Sequence, residues 1–146
     1  MFSGRSEQKI LAWREFRSEL NTWPDDIERV ANAWAKAPLS GNYLIYDDPK
    51  KWPDAWALMG DGVFCNISIA LGMFYTLYYS SYDKKDVMKL EHYHLPDQHQ
   101  TLNLVSLEDG KYMLNYHLGR SVNITRTENL TYPKYTLTAQ DLPIKN

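Results

Sequence analysis

The apolar residues of this 146-residue chain change their spacing once, near residue 80, and that switch limits the fold more than any motif. Before it they recur every three or four residues, as on one face of a helix. After it they alternate, as on a half-buried strand. Ile10, Trp13, Phe16 and Leu20 predict a first helix, capped by Ser6 and running to about Leu20. A second helix starts at Trp23-Pro24. Proline suits the first helical position, and Asp25 and Asp26 favour the positive end of the helix dipole. Ile27, Val30, Ala31 and Trp34 give it one apolar face.

A long connector, Ala37 to Gly62, holds an extended piece at Tyr43–Tyr46 and a short helix from about Pro53. Trp56 and Met59 face inward on that helix, and Gly60-Asp61-Gly62 ends it. The third long helix runs from about Val63 to Tyr79. Ile67, Ala70, Leu71 and Phe74 form its main buried face, and Val63, Phe64, Ile69 and Met73 extend the apolar cover. A helix apolar on most sides is a central one. "DVMKLEHYH", "HQTLNLVSL" and "KYMLNYH" then alternate, the last two joined by "EDG", a hairpin signal. "SVNITRT" and "YTLTAQD" add further strands. The fold class expected is therefore α+β: N-terminal helices and a central buried helix packed on a C-terminal antiparallel sheet. One domain, 1–146, is expected, with a helical part (1–40), a core helix and sheet (60–117) and C-terminal strands with an extended tail (118–146).

Composition excludes several classes. The net charge is −2 with the signs mixed, which leaves no electrostatic footprint for direct nucleic-acid recognition. One cysteine excludes an internal disulfide and a cysteine-cluster zinc site. No apolar stretch is long enough for a signal peptide or a membrane span. A soluble protein made in the cytoplasm is expected, with no membrane partner, and the three N-x-S/T sequons are chance matches. Aromatics reach 14% of the chain; they fill cores and are enriched where proteins meet.

Three sites compete as carriers of chemistry. The lone Cys65 lies in "GDGVFCNISIALG", after a glycine break and at the start of a buried helix, where cysteine nucleophiles often sit. A small apolar core residue is the competing reading, because thiols are often buried and Phe64, Ile67 and Ile69 make an apolar setting. "HYHLPDQH" places His92 and His94 two apart on one strand face, with Asp97 and His99 after a turn, a loose candidate for a divalent metal. No further ligand has a diagnostic spacing, so no metal and no cofactor is expected, and these histidines read as solvated or interface groups. "WPD" occurs twice and suggests a tyrosine-phosphatase acid loop, but the arginine required six residues after the cysteine is Leu71. Both copies read as helix starts.

A helix-borne Cys, then strands carrying His and Asn around "LVSLEDGKYMLNY", resembles the transglutaminase-like and papain-like fold. The resemblance spans roughly Gly60 to Tyr116. It implies that Cys65 attacks an acyl group, His99 draws off its proton and Asn115 orients the imidazole. Strand register tests this. A two-residue turn at Asp109-Gly110 pairs Leu104 with Asn115 and puts His99 and Asn115 on opposite faces. A three-residue loop, Glu108-Asp109-Gly110, pairs Leu107 with Lys111 and sets Asn115 opposite Asn103, on the face of His99. This register also groups Leu102, Leu104, Tyr112, Leu114 and Tyr116, and is the one expected. Even so, Asn103 is ~13 Å along the strand from His99. In the family the histidine lies nearer the turn, about where Thr101 sits. His117, opposite Thr101, is a further candidate base without an orienter.

"DDPKKWPDAWALMGDGVFCNISIALGMFYTLYYS", with the later "DGKYMLNYHLG", also resembles small proteins of contractile-tailed bacteriophages. That resemblance implies a virion component of the neck, tail or baseplate, whose partners are other virion proteins in a multi-protein or homo-oligomeric assembly. The leading expectation is thus a structural or interaction protein with Cys65 in its core. The alternative is a cysteine-dependent acyl-transfer enzyme, a protease, amidase or transglutaminase.

Overall fold

A computed structural model describes residues 1–41, 44–95, 99–122 and 133–144. The helices come first: α1 (Ser6–Glu19), α2 (Asp25–Trp34), α3 (Ala55–Asp61) and α4 (Asn66–Tyr78). The strands follow: β1 (Lys89–Leu95), β2 (Gln100–Leu107), β3 (Tyr112–His117), β4 (Arg120–Val122) and β5 (Tyr135–Leu137). They form one antiparallel sheet in the order β4-β3-β2-β1-β5. The α+β order expected from the change in period is the observed one. No helix among the described residues is long and apolar enough to cross a membrane.

α4 is the axis of the molecule. Ten consecutive residues, Ser68 to Leu77, are buried, as its all-round apolar sequence requires. One side meets α1, α2 and α3, and the other lies on β1, β2 and β3. Gly72 lets α2 approach: a methyl group there would stand 2.0 Å from the Trp34 ring. Trp13 of α1 and Trp34 of α2 both donate their indole N–H to the Thr76 hydroxyl, at 3.0 and 2.9 Å. That hydroxyl in turn donates to the Gly72 carbonyl at 2.7 Å. Two helices are thereby registered on α4 through one buried oxygen.

Several boundaries differ from expectation, each for a local reason. Ser6 does not cap α1. Arg5 occupies the cap position, its N–H bonded to the Gln8 side chain, and the Ser6 hydroxyl donates to the Gly60 carbonyl of α3. Pro24 sits one residue before α2 rather than on its first position. α3 starts at Ala55, because the Asp54 carboxylate caps it by accepting the Ala57 N–H; Gly62, left-handed at φ 65°, ends it. Met59 faces inward as expected, but Trp56 is 39% exposed, with its edges against Trp13 and Tyr79. α4 begins at Asn66, three residues late. Val63 is exposed, and Phe64 is instead bridged to Leu39 as short parallel strands. Tyr43 of the expected extended piece lies outside the described residues, and Tyr46 is in a turn. "SVNITRT" contributes only its first residues, to β4; its remainder also lies outside them. "YTLTAQD" gives β5 and then a short 3₁₀ turn.

The β2–β3 register is a correction. Leu107 pairs with Tyr112, not Lys111, and Val105 pairs with Leu114. Glu108, Asp109 and Gly110 are all left-handed, at φ 53°, 58° and 88°, so the loop is one residue longer than the expected one. Glu108 is fixed there by Tyr82 Oη at 3.1 Å and Lys84 Nζ at 2.8 Å. The grouping of apolar residues changes with it. Val105, Leu107 and Leu114 face the helices, while Leu102, Leu104, Met113 and Tyr116 share the opposite face with Tyr93. Asn115, left-handed at φ 72°, forms a bulge between Leu114 and Tyr116, which returns Tyr116 to the outer face.

Candidate functional site at the first turn of α4

Cys65 is the cap residue of α4, with extended backbone, and is 1% exposed. Its N–H donates to the Ser68 hydroxyl at 2.7 Å, and that hydroxyl donates back to the Cys65 carbonyl at 3.1 Å. Serine three residues into a helix is thus what holds the cysteine at the helix entrance.

The next residue, Asn66, faces the sheet. Its side-chain oxygen accepts from Asn103 Nδ2 of β2 at 2.8 Å. Asn103 Oδ1 meets His92 Nδ1 of β1 at 2.7 Å, across the antiparallel pair that sets His92 opposite Asn103. An amide oxygen only accepts, so Nδ1 is the donor of this bond. Asn115 Nδ2 donates to the Asn103 carbonyl at 2.9 Å. The bulge therefore delivers the contact with Asn103 that the expected register sought, by a different route. His92 stacks flat on Tyr46 of the connector, ring centres 4.2 Å apart and 4° from parallel. Beside it, between α4 and β1, a cavity of about 20 Å³ is lined by Tyr46, Ile67, Ala70, Leu90, His92 and Asn103. That is room for one water.

The residues expected to form a triad separate. Cys65 caps α4 next to Asn66, whose side chain bonds Asn103, and Asn115 bonds the Asn103 carbonyl. His99 lies in the turn before β2, exposed and left-handed at φ 49°. No hydrogen bond among the described residues joins it to Asn115. Thr101, where the family's histidine falls, is exposed and opposite His94. His117 ends β3 opposite Arg120, with its ring against Tyr116. Of the metal candidates, His92 is committed to Asn103, His94 is exposed, and Asp97 lies outside the described residues. No three metal-ligating side chains come together among the described residues. Both "WPD" segments serve helix starts. Asp25 is in the first turn of α2 and Asp54 caps α3.

Sequence reasoning missed Asn66 and Tyr46, and read His92 as a metal candidate rather than as an amide's partner. Only the cross-strand pairing of His92 with Asn103 signals that role, and it follows from the β1–β2 register. Electrostatics on the other face of the sheet differ. Burial pushes the Glu91 carboxyl above its ordinary value, partly offset by hydrogen bonds from Tyr93 and Ser106.

No protein-family model matches the sequence, and no curated protein matches it. Solved structures do share the fold. LapG of Legionella pneumophila superposes with a TM-score of 0.70 over 94% of this chain and 78% of its own, at 14% identity. Its calcium-bound form gives 0.69 over 94% and 78%, at 13% identity. Its EGTA-treated form gives 0.70 over 94% and 76%, at 14% identity. At such identity the likeness is one of architecture, and this chain has the transglutaminase-like α+β fold.

Proposed function

We propose that this chain is a non-catalytic interaction protein built on a transglutaminase-like scaffold. The observation that carries this reading is the amide network facing the first turn of α4. On β2 the residues opposite His94 and His92 are Thr101 and Asn103, neither of which serves as a general base. His92 has Nδ1 tied to Asn103, which is tied in turn to Asn66. The burial of Cys65 supports the same reading, since attack on an acyl group needs access to the sulfur.

The partners we assign are other proteins of a tailed-phage virion. This assignment is supported by the sequence resemblance of the segments from Asp47 to Ser80 and from Asp109 to Gly119. Exposed Leu39, Ile45 and Val63, on the connector and just before Cys65, are the side chains that contact with another protein would cover. Mass spectrometry of purified virions tests it: the chain is expected among the virion proteins, and its absence there defeats the assignment.

One observation favours a second reading. Cys65 stands at the entrance of a buried helix, where cysteine nucleophiles often sit. On this reading Cys65 is an acyl-transfer nucleophile and His92, through Nε2, its base. Hydrolysis of an activated acyl ester that vanishes in Cys65→Ala would establish it over the first.

A further inference from the structure

The opposite end of α4 carries a different kind of site. A helix of 13 residues is about 20 Å long, so this end is remote from Cys65. A groove of about 320 Å³ runs there between α1 and the residues after α4. Arg14 and Arg17 line it from one face of α1, one helical turn apart. No carboxylate lines it. Neither arginine takes part in any ion pair among the described residues, where the pairs formed are Arg29 with Glu19 and Asp26, Lys51 with Asp48, and Lys84 with Glu108.

Arg17 is held in place. Its guanidinium lies 4.0 Å over the Trp13 ring, and Nη1 donates to the Tyr79 carbonyl at 3.0 Å. That bond satisfies the C-terminal cap of α4, where a cation is favoured. It does not account for the rest of the fork. Nε is buried with no partner among the described residues, and Nη2 donates to none. Burial first, and then the charge of Arg14, push the guanidinium below its ordinary value. Two like charges, one partly desolvated, therefore face one groove with no counter-charge. The hydroxyls of Ser18, Ser80 and Ser81 donate to the carbonyls of Glu15, Leu77 and Leu20, so they are not the donors on offer. The side-chain N–H groups of Asn21 are, since Asn21 Oδ1 already accepts from Thr22.

We propose that this groove binds a phosphate group, gripped by Arg14 and Arg17 with the Asn21 amide as a further donor. A phosphate dianion matches the two cations in charge. Its three terminal oxygens can accept at once from the Arg14 fork, from the N–H groups of Arg17 that the Tyr79 bond leaves, and from Asn21. The site is independent of the function proposed above.

The test is titration of the folded chain with inorganic phosphate, followed by NMR at the Asn21 side-chain amide and at Arg17 Nε. Saturable shifts are expected, with affinity about tenfold weaker in Arg14→Gln, which is exposed and leaves the core alone. Arg17→Lys keeps the charge and loses the fork, and a similar loss is expected. Arg5→Gln, a change to a surface cation at the other end of α1, is expected to leave binding unchanged. O-phosphoserine run in parallel distinguishes the source. If it binds as tightly as phosphate, the ligand is a phosphate carried on a larger molecule; if it binds more weakly, the ligand is the free ion. No saturable shift, or equal weakening by Arg5→Gln and Arg14→Gln, overturns the proposal.

Discussion

In the last turn of α4, one hydroxyl takes two indole N–H groups; at its first turn, Asn66, Asn103, Asn115 and His92 bond with one another. The first set is buried and the second reaches from buried Asn103 to exposed Asn66, and they do different work. Thr76 links three helices, and every donor in its set has that single oxygen to reach. At the first turn the bonds run in a chain from Asn66 through the Asn103 side chain to His92, with Asn115 on the Asn103 carbonyl, and the set joins α4 to the sheet. The difference teaches that similar polar groups can either register helices on one another through a single atom or tie a helix to a sheet through a chain of amides.

The sharpest way to break the comparison is to remove the central oxygen. Thr76→Val keeps the shape but leaves two buried indole N–H groups without an acceptor. Unfolding by denaturant is expected to show a loss of roughly 2–6 kcal/mol, from about 1–3 per orphaned donor. Gly72→Ala acts on the same contact by volume. Its methyl meets the Trp34 ring, and a loss of about 1–3 kcal/mol is expected, visible also as a changed near-ultraviolet tryptophan signal.

Asn103→Ala probes the other end. It removes the partners of Asn66 and His92 at a nine-tenths-buried position, and a loss of about 1–2 kcal/mol is expected. A loss as large as that of Thr76→Val would mean that the two clusters are equally structural.

The smallest effects are pH-dependent and opposite in sign. Burial raises the Asp26 carboxyl, but the N–H groups of Thr22 and Asn21 and the Arg29 charge outweigh it, and the net shift is downward. Its contribution is present above the ordinary carboxylate range and lost as pH falls through the folded value. Glu91 is shifted upward, mainly by burial, so its contribution is present at low pH and lost as pH rises through the folded value. In acid titrations of stability, Asp26→Asn should flatten the loss below about pH 4. Glu91→Gln should raise stability at neutral pH. An unchanged titration in both variants would contradict these assignments.

Much of the scaffold was readable because burial imposes period. The face of Ile27, Val30, Ala31 and Trp34, the all-round apolar run of α4 and the alternation of three strands each reflect which side chains leave water. The hairpin register was not readable, because Glu108 and Asp109 are left-handed without being glycine, and Glu108 is held by Tyr82 and Lys84 from distant segments. The bulge at Asn115 escaped for the same reason. Its left-handed backbone depends on a side-chain bond to Asn103, a tertiary contact with no local signature. The candidate site was legible only at Cys65. His99 looked like a base from its place in the strand pattern, but it belongs to the turn.

Alkylation of the native protein at neutral pH, with Cys65 as the single thiol, tests the central claim most directly. The account predicts that Cys65 stays unlabelled over hours and reacts stoichiometrically once the chain is unfolded. Rapid stoichiometric labelling of the folded protein, slowed in His92→Ala, would contradict it and make Cys65 an activated nucleophile.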